Sequence, residues 1–167
     1  VPRPDLVLAV GKAAVPMARA ALDRFGALPA LAVTKHGHGD GQPGLEVIEA
    51  GHPLPDAGSL RAGTALLDRV ANCSPEAHLL LLVSGGASAL AEAPVAGLTL
   101  GDLAAETRAL IASGADIATM NARRRQLSRI KGGRLLETFG GARATVLAIS
   151  DVEGDDIAVI GSGIGLV

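Results

Sequence analysis

Three groups of residues in this chain are equipped for chemistry: Lys12, the run Ser84-Gly85-Gly86-Ala87-Ser88, and the acidic stretch holding Asp151, Asp155 and Asp156. A lysine ammonium is a flexible point cation that can reach a phosphate oxygen. Successive backbone N–H groups in a Ser-Gly-Gly turn can form a nest for an anion. Carboxylates beside such a nest offer the hard oxygens that Mg²⁺ takes. Each group also has a plainer reading. Lys12 can be a surface lysine, Ser84–Gly86 a tight connection, and the aspartates helix caps and turn residues. What favours the chemical reading is their shared position, since each follows a short apolar run.

Those runs define the elements that must position the groups. Leu6–Val10 leads into Gly11-Lys12-Ala13-Ala14, Leu79–Val83 into Ser84–Ser88, and Val146–Ile149 into Ser150–Asp156. Short, continuous apolar runs separated by helix-like stretches predict a parallel sheet covered on both faces. The expected fold is therefore a three-layer, Rossmann-like α/β domain with a mostly parallel sheet. All three turns then open on the carboxyl edge, where open α/β sheets bind ligands. Between the runs, helices are predicted over Ala13–Phe25, Ser59–Val70 and Thr99–Ser113, and over 116–138 with a break at Gly132-Gly133. Thr99 and Asp102 have the spacing of a capping box. Further strands are predicted at Leu31–Thr34, Glu46–Glu49 and Arg143–Ile149. A loop is expected from Lys35 to Gly44, and an irregular turn at Gly51-His52-Pro53-Leu54-Pro55-Asp56.

The segment from Met120 to Arg134 is the most basic in the chain. Its helical spacing predicts that Met120, Leu127 and Ile130 pack on the sheet, with Asn121, Arg125 and Ser128 on a neighbouring stripe. The cluster of Arg123, Arg124, Arg129, Lys131 and Arg134 is either a solvated face or an anion site. His36 and His38 lie two apart in a glycine-rich loop without further ligands nearby, a weak pattern for a metal. His52 sits in a turn that must be rigid, as a ligand contact or as a structural hydrogen bonder.

Composition excludes several classes. A formal net charge of −2 argues against a general nucleic-acid binder. No apolar stretch reaches the roughly 20 residues of a membrane span, so no membrane partner is expected. The lone Cys73 rules out an internal disulfide and fits a reducing, cytoplasmic setting. With aromatic residues at 1%, the core has to be built from Leu, Val, Ile and Ala. There is no Walker-type phosphate loop, and no Gly-x-Gly-x-x-Gly follows the first strand, so any nucleotide is bound by another arrangement.

Taken in order, the segments resemble one known family. Gly11–Ala14 with Met17, Thr34–Gly39, Gly51–Asp56, Ser84–Leu90, Ser113–Ile117 with Asn121, Arg124 with Leu127–Gly133, and Ser150–Asp156 are similar to the N-terminal domain of the glycerate 2-kinases. That group is also known under the name hydroxypyruvate reductase. The resemblance implies ATP-dependent, Mg²⁺-assisted phosphorylation of the C2 hydroxyl of D-glycerate, in a cleft between two α/β domains. It implies that Lys12 contacts the transferred phosphate or the glycerate carboxylate. Gly11, Ser84, Gly85, Gly86 and Ser88 would cradle phosphate, with His52, Asn121, Arg124 and Lys131 orienting ligands. Asp151 or Asp155 would hold Mg²⁺ or the attacking hydroxyl.

The chain departs from the family pattern after Ser162-Gly163, where Ile164–Val167 replaces the usual continuation. Residues 1–163 are expected to form the N-terminal domain and 164–167 to begin or join further sequence, with the second domain outside this chain. Such a domain alone is expected to be poorly active. Its partners would be glycerate, the nucleotide and the second domain, with a homo-oligomer left open. A nicotinamide-dependent reductase and a non-catalytic binder of phosphate compounds are the competing readings.

Overall fold

The computed structural model describes residues 1–41 and 43–167; Gln42, within the predicted Lys35–Gly44 loop, lies outside the described residues. Five strands form one sheet: β1 (Leu6–Val10), β2 (Ala30–Lys35), β3 (Glu46–Ala50), β4 (His78–Val83) and β5 (Arg143–Ala148). Their order is β3-β2-β1-β4-β5, and every neighbouring pair is parallel. The runs richest in Leu and Val become the central strands. β1 and β4 are buried along their whole length, whereas the mixed sequences of β3 and β5 take the edges. The expected three-layer, Rossmann-like α/β architecture is the observed one.

Alternation along the strands sorts the core into two different faces. Leu8, Val10, Leu31, Leu79, Leu81 and Val83 face helix α2 (Ala57–Ala71) and the short helix α3 (Ala87–Leu90). On the other face Val7, Ala9, Ala30, Ala32, Leu80 and Leu82 meet α1 (Ala14–Phe25), which buries Ala14, Val15, Ala18 and Ala21. One side is packed with leucine, the other largely with alanine. This is how a chain without Trp or Tyr fills its core. Leu147 and Ile149, at the β5 edge, are exposed.

Helix ends follow the local sequence. Pro16 falls in the first turn of α1, where its missing N–H costs nothing. Gly26 closes that helix at φ 80°, donating its N–H to the Leu22 carbonyl at 2.8 Å. Asp56 caps α2, and Ser59 returns the bond to the Asp56 N–H at 3.0 Å. Thr99 and Asp102 close the predicted capping box on α4 (Leu100–Ala112). No helix among the described residues is long and apolar enough to cross a membrane.

One segment departs from expectation. The helix predicted over 116–138 ends early, as α5 (Ile117–Leu127), and resumes only as α6 (Arg134–Glu137). Between them Ser128 is extended and forms an isolated antiparallel bridge with Pro94. Val95 donates to the Leu127 carbonyl at 2.9 Å and Arg129 to the Ala93 carbonyl at 2.7 Å. This pairing outcompetes the helix. α5 therefore buries none of its residues, and Met120 and Leu127 do not pack on the sheet as predicted. Ile130 does reach the core, but from the irregular segment. Ser128 leaves the expected stripe as well, while Arg125 pairs with Glu137 at 2.6 Å.

The bridge is fastened by a buried charge cluster. Glu92 accepts from Ser128 Oγ at 2.6 Å and from the Ala93 N–H at 2.9 Å, and its other oxygen pairs with Lys131 Nζ. Glu92 and Lys131 are almost wholly buried. Burial lowers the Lys131 pKa, and the Glu92 carboxylate opposes that shift.

Two predictions follow from these contacts. Glu92→Ala strands the Lys131 ammonium in the interior and is expected to cost ~3–5 kcal/mol, read by urea unfolding. Replacing both residues with Met is expected to recover most of the loss. An equal loss in the double variant would show that packing, not charge, dominates. The second concerns acid. A bond from His36 at 2.7 Å, with the Gly51 and Ser59 N–H groups, holds the Asp56 carboxyl at about 2 against an ordinary 3.8. Its contribution is complete above the ordinary value and is lost as pH falls toward the folded one. Asp56→Asn keeps a good cap but removes the charge. Its unfolding midpoint is expected to lose the part of the acid dependence between pH 3.8 and about 2 that wild type retains.

Candidate active site at the carboxyl edge

The strand order places a topological switch point between β1 and β4. From β1 the chain winds outward through β2 to β3, then returns to β4 on the opposite side. The connections leaving β1 and β4 therefore diverge and leave a crevice at their carboxyl ends, where such sheets take ligands. Lys12 and Ser84–Gly86 occupy this place.

The two loops are laced together. Ser84 N–H donates to the Val10 carbonyl at 3.0 Å, Lys12 N–H to the Gly85 carbonyl at 2.9 Å, and Ala13 N–H to Ser84 Oγ at 3.1 Å. Gly11 makes this approach feasible. Its φ is 135°, and a Cβ there would lie 2.1 Å from Ser84 Oγ and 2.6 Å from the Ser84 carbonyl oxygen. Ser84 is buried, and its hydroxyl oxygen accepts from the neighbouring loop. The N–H groups of Gly85 and Gly86 meet no protein acceptor among the described residues.

Over Gly86 several groups converge. A Cβ on this residue (φ 86°) would lie 2.9 Å from His52 Cδ2, 3.0 Å from His52 Nε2 and 3.1 Å from Lys12 Cε. His52 is brought there by the turn after β3, whose Gly51 N–H is held by Asp56 Oδ1 at 2.9 Å. Burial, then the Lys12 and Lys35 ammonium groups, lower the His52 pKa. The imidazole is thus kept neutral near pH 7 beside a lysine cation. Opposite, the turn after β5 brings Asp151, whose Oδ2 is 2.2 Å from the position of a Gly85 Cβ. The absence of a side chain at Gly85 is what lets the carboxylate lie there.

The remaining predicted residues are distributed around this point. Ser88, on α3, bonds Ser162 Oγ at 2.8 Å, and Arg124, on α5, reaches the same oxygen at 3.4 Å. Lys131 reaches the wall of the adjoining cavity, but its ammonium is taken by Glu92. Asn121 is half-buried on α5. Asp155 is exposed in the 150–156 turn, with φ 53°. Among the described residues no group of three or more His, Cys, Asp or Glu is gathered as a metal cage. His36, considered with His38 as a weak metal pattern, bonds Asp56 instead.

Sequence reasoning passed over Ser162 and Glu92. Ser162 is buried at φ 56°, a left-handed conformation uncommon for residues other than glycine. Glu92 carried one signal, a single charge inside the apolar run Leu90-Ala91-Glu92-Ala93. A charge in such a run needs a buried partner. Beside Gly86 and Ser88 lies an open cavity of about 520 Å³, walled by the 52–55 turn, α3, α4 and α5.

The domain of unknown function DUF4147 matches residues 3–166. The chain is 45% identical over 161 residues to an Agrobacterium vitis protein whose name suggests a hydroxypyruvate reductase, covering 95% of this chain and 42% of that protein. It is 40% identical over 161 residues to the D-glycerate 2-kinase of Thermotoga maritima, covering 95% of this chain and 39% of the relative. A crystal structure of a Thermotoga maritima glycerate kinase superposes with a TM-score of 0.89 at 38% identity, over 96% of this chain and 40% of that one. The chain thus spans about two fifths of the length of these relatives. Matched over nearly all its own residues in sequence and in fold, the chain belongs to the DUF4147 family, the domain it shares with glycerate kinases and with proteins named for hydroxypyruvate reductase.

Proposed function

We propose that this domain supplies the phosphate-handling half of an ATP-dependent glycerate 2-kinase, completed by further chain as in its longer relatives. The observation that carries the reading is the convergence of Lys12, His52 and the Gly85–Gly86 backbone at the switch point, with Asp151 alongside. Phosphoryl transfer asks little covalent chemistry of a protein; it needs positioning and positive charge around the transferred group.

The C2 hydroxyl oxygen of D-glycerate bonds to the γ-phosphorus as the bond from that phosphorus to the bridging oxygen breaks. ADP leaves with the bridging oxygen, and the hydroxyl proton is released. Lys12 offsets the negative charge on the transferred group, and the Gly85 and Gly86 N–H groups orient its oxygens. Arg124 and Ser88 extend the cradle toward α5. His52, neutral and close to Lys12, is free to accept a hydrogen bond from substrate. Mg²⁺ usually binds through one or two carboxylates together with substrate phosphates, not in an all-protein cage. Asp151 beside Gly85 fits that requirement, with Asp155 a second carboxylate in the same turn. When bound, the metal would neutralise charge on the phosphate oxygens.

Phosphorus NMR on the full-length protein with MgATP and D-glycerate is expected to show a new phosphoester coupled to the C2 proton, with matching ADP. A C3 ester would retain a kinase but correct the position. Unchanged ATP with a folded protein, or oxidation of a nicotinamide cofactor by hydroxypyruvate, would overturn the reading. Lys12→Ala is expected to lower kcat by roughly 10²–10³-fold while the protein stays folded. Gly85→Ala displaces the Asp151 carboxylate and is expected to cost about 10²-fold. Full activity in either variant removes the role given to that residue.

A further inference from the structure

The cavity of about 520 Å³ next to the switch point is much larger than the phosphate cradle needs. One wall is a single stripe of α4. Leu103, Ala104, Thr107, Arg108 and Ile111 recur at helical spacing and all line the cavity. α4 buries none of its residues against the rest of the chain. An apolar stripe on a helix ordinarily packs on protein; this one faces an open space. Ile111 is 62% exposed at the rim, and Leu54, on the facing turn, is 77% exposed.

Charge limits what can fill the space. Arg108, on the α4 stripe, has no ion-pair partner among the described residues, and neither does Arg124 on the opposite wall. Arg124 stands at the end nearest the cradle, where it reaches Ser162, the partner of Ser88. A suitable occupant is therefore anionic where it passes Arg124, Ser88 and Gly86, and apolar and flat where it meets Leu103, Ala104 and Ile111 of α4, with Arg108 left to meet a polar group on it. Glycerate, short and oxygenated along its length, would leave the apolar wall wet. Pockets of a few hundred Å³ with apolar walls and a few polar anchors suit larger organic ligands.

We infer that this cavity is the nucleoside subsite, with the base and ribose of the phosphoryl donor lying against the Leu103–Ile111 stripe of α4 and its phosphates running past Arg124 and Ser88 to Gly86 and Lys12. The inference deepens the kinase reading and rests on it for the identity of the donor. It places the nucleoside in this domain and leaves the smaller glycerate for the exposed side of Lys12.

Filling the cavity tests the assignment in the full-length protein. Ala104→Phe adds a ring to the α4 wall at a half-buried position. It is expected to raise KM for ATP by roughly tenfold or more, the effect of an overpacked contact, with KM for glycerate unchanged. Thr107→Leu, a smaller change on the same stripe, is expected to act in the same direction and guards against a misfolded Phe variant. A rise in KM for glycerate alone would give the cavity to the acid and overturn the inference. Unchanged constants in both variants, each shown to be folded, would overturn it as well. If the wild-type protein proves not to be a kinase, binding of a fluorescent N-methylanthraniloyl derivative of ADP still decides the matter. Saturable binding that Ala104→Phe weakens roughly tenfold supports a nucleoside subsite; no binding, or binding that both variants leave intact, refutes it.

Discussion

Gly11 and Ser84 approach so closely that no Cβ fits between them, and the carboxyl edge is arranged around that contact. Because Gly11 bears no side chain, Ser84 Oγ can accept from the Ala13 N–H, and Lys12 N–H can reach the Gly85 carbonyl. These bonds join the loops after β1 and β4, the two central strands. The start of α1 is held by the same contact. So is the backbone that sends Lys12 over Gly86, toward His52. A conventional dinucleotide fold fixes its first turn with a glycine-rich fingerprint. Here a serine hydroxyl from the neighbouring loop takes part in that task, which accounts for an anion-suited crevice in a chain lacking the fingerprint.

The rest of the edge is positioned by similar exclusions of side chains. Gly85 makes room for the Asp151 carboxylate, and Gly86 for His52 and Lys12. Four loops, following β1, β3, β4 and β5, are thereby brought against one another without a metal cage or a disulfide among the described residues. Burial, and then the Lys12 and Lys35 ammonium groups, favour the neutral form of His52, so a hydrogen-bonding imidazole stands beside the Lys12 side chain. That combination suits an anionic ligand that also has a hydroxyl to orient.

How much of this could be read in the sequence depends on the range of the interactions involved. Leu6–Val10 and Leu79–Val83 declare themselves as buried strands, and the capping box at Thr99 acts within one turn of its helix. The residues after those strands were legible as an edge cluster because a parallel sheet brings its carboxyl ends together. The early end of α5 was not legible. Its cause is a bridge between Ser128 and Pro94, across an intervening helical excursion, and nothing near Ser128 announces it. Lys131 has the same history: beside arginines it looks like part of a basic face, yet Glu92, far away in sequence, takes its ammonium into the interior. Lys12 and Ser84–Gly86, placed by local rules, do meet at the carboxyl edge. Residues whose surroundings are set by distant pairing were named without their partners.

The unequal faces of the sheet bear on how this protein can diverge. On the α2 side, leucines and valines interlock, and aliphatic residues of similar volume can exchange there with modest repacking. On the α1 side, Ala14, Ala18 and Ala21 meet Ala9, Ala30 and Ala32, leaving a layer with little volume to redistribute. Enlarging one of these residues would lift α1 from the sheet, and its first turn begins three residues after Gly11. Sequence drift among the leucines that face α2 is thus largely a matter of stability. On the alanine face it is geared mechanically to the crevice, so that a methyl group added well below the edge would be felt at Lys12.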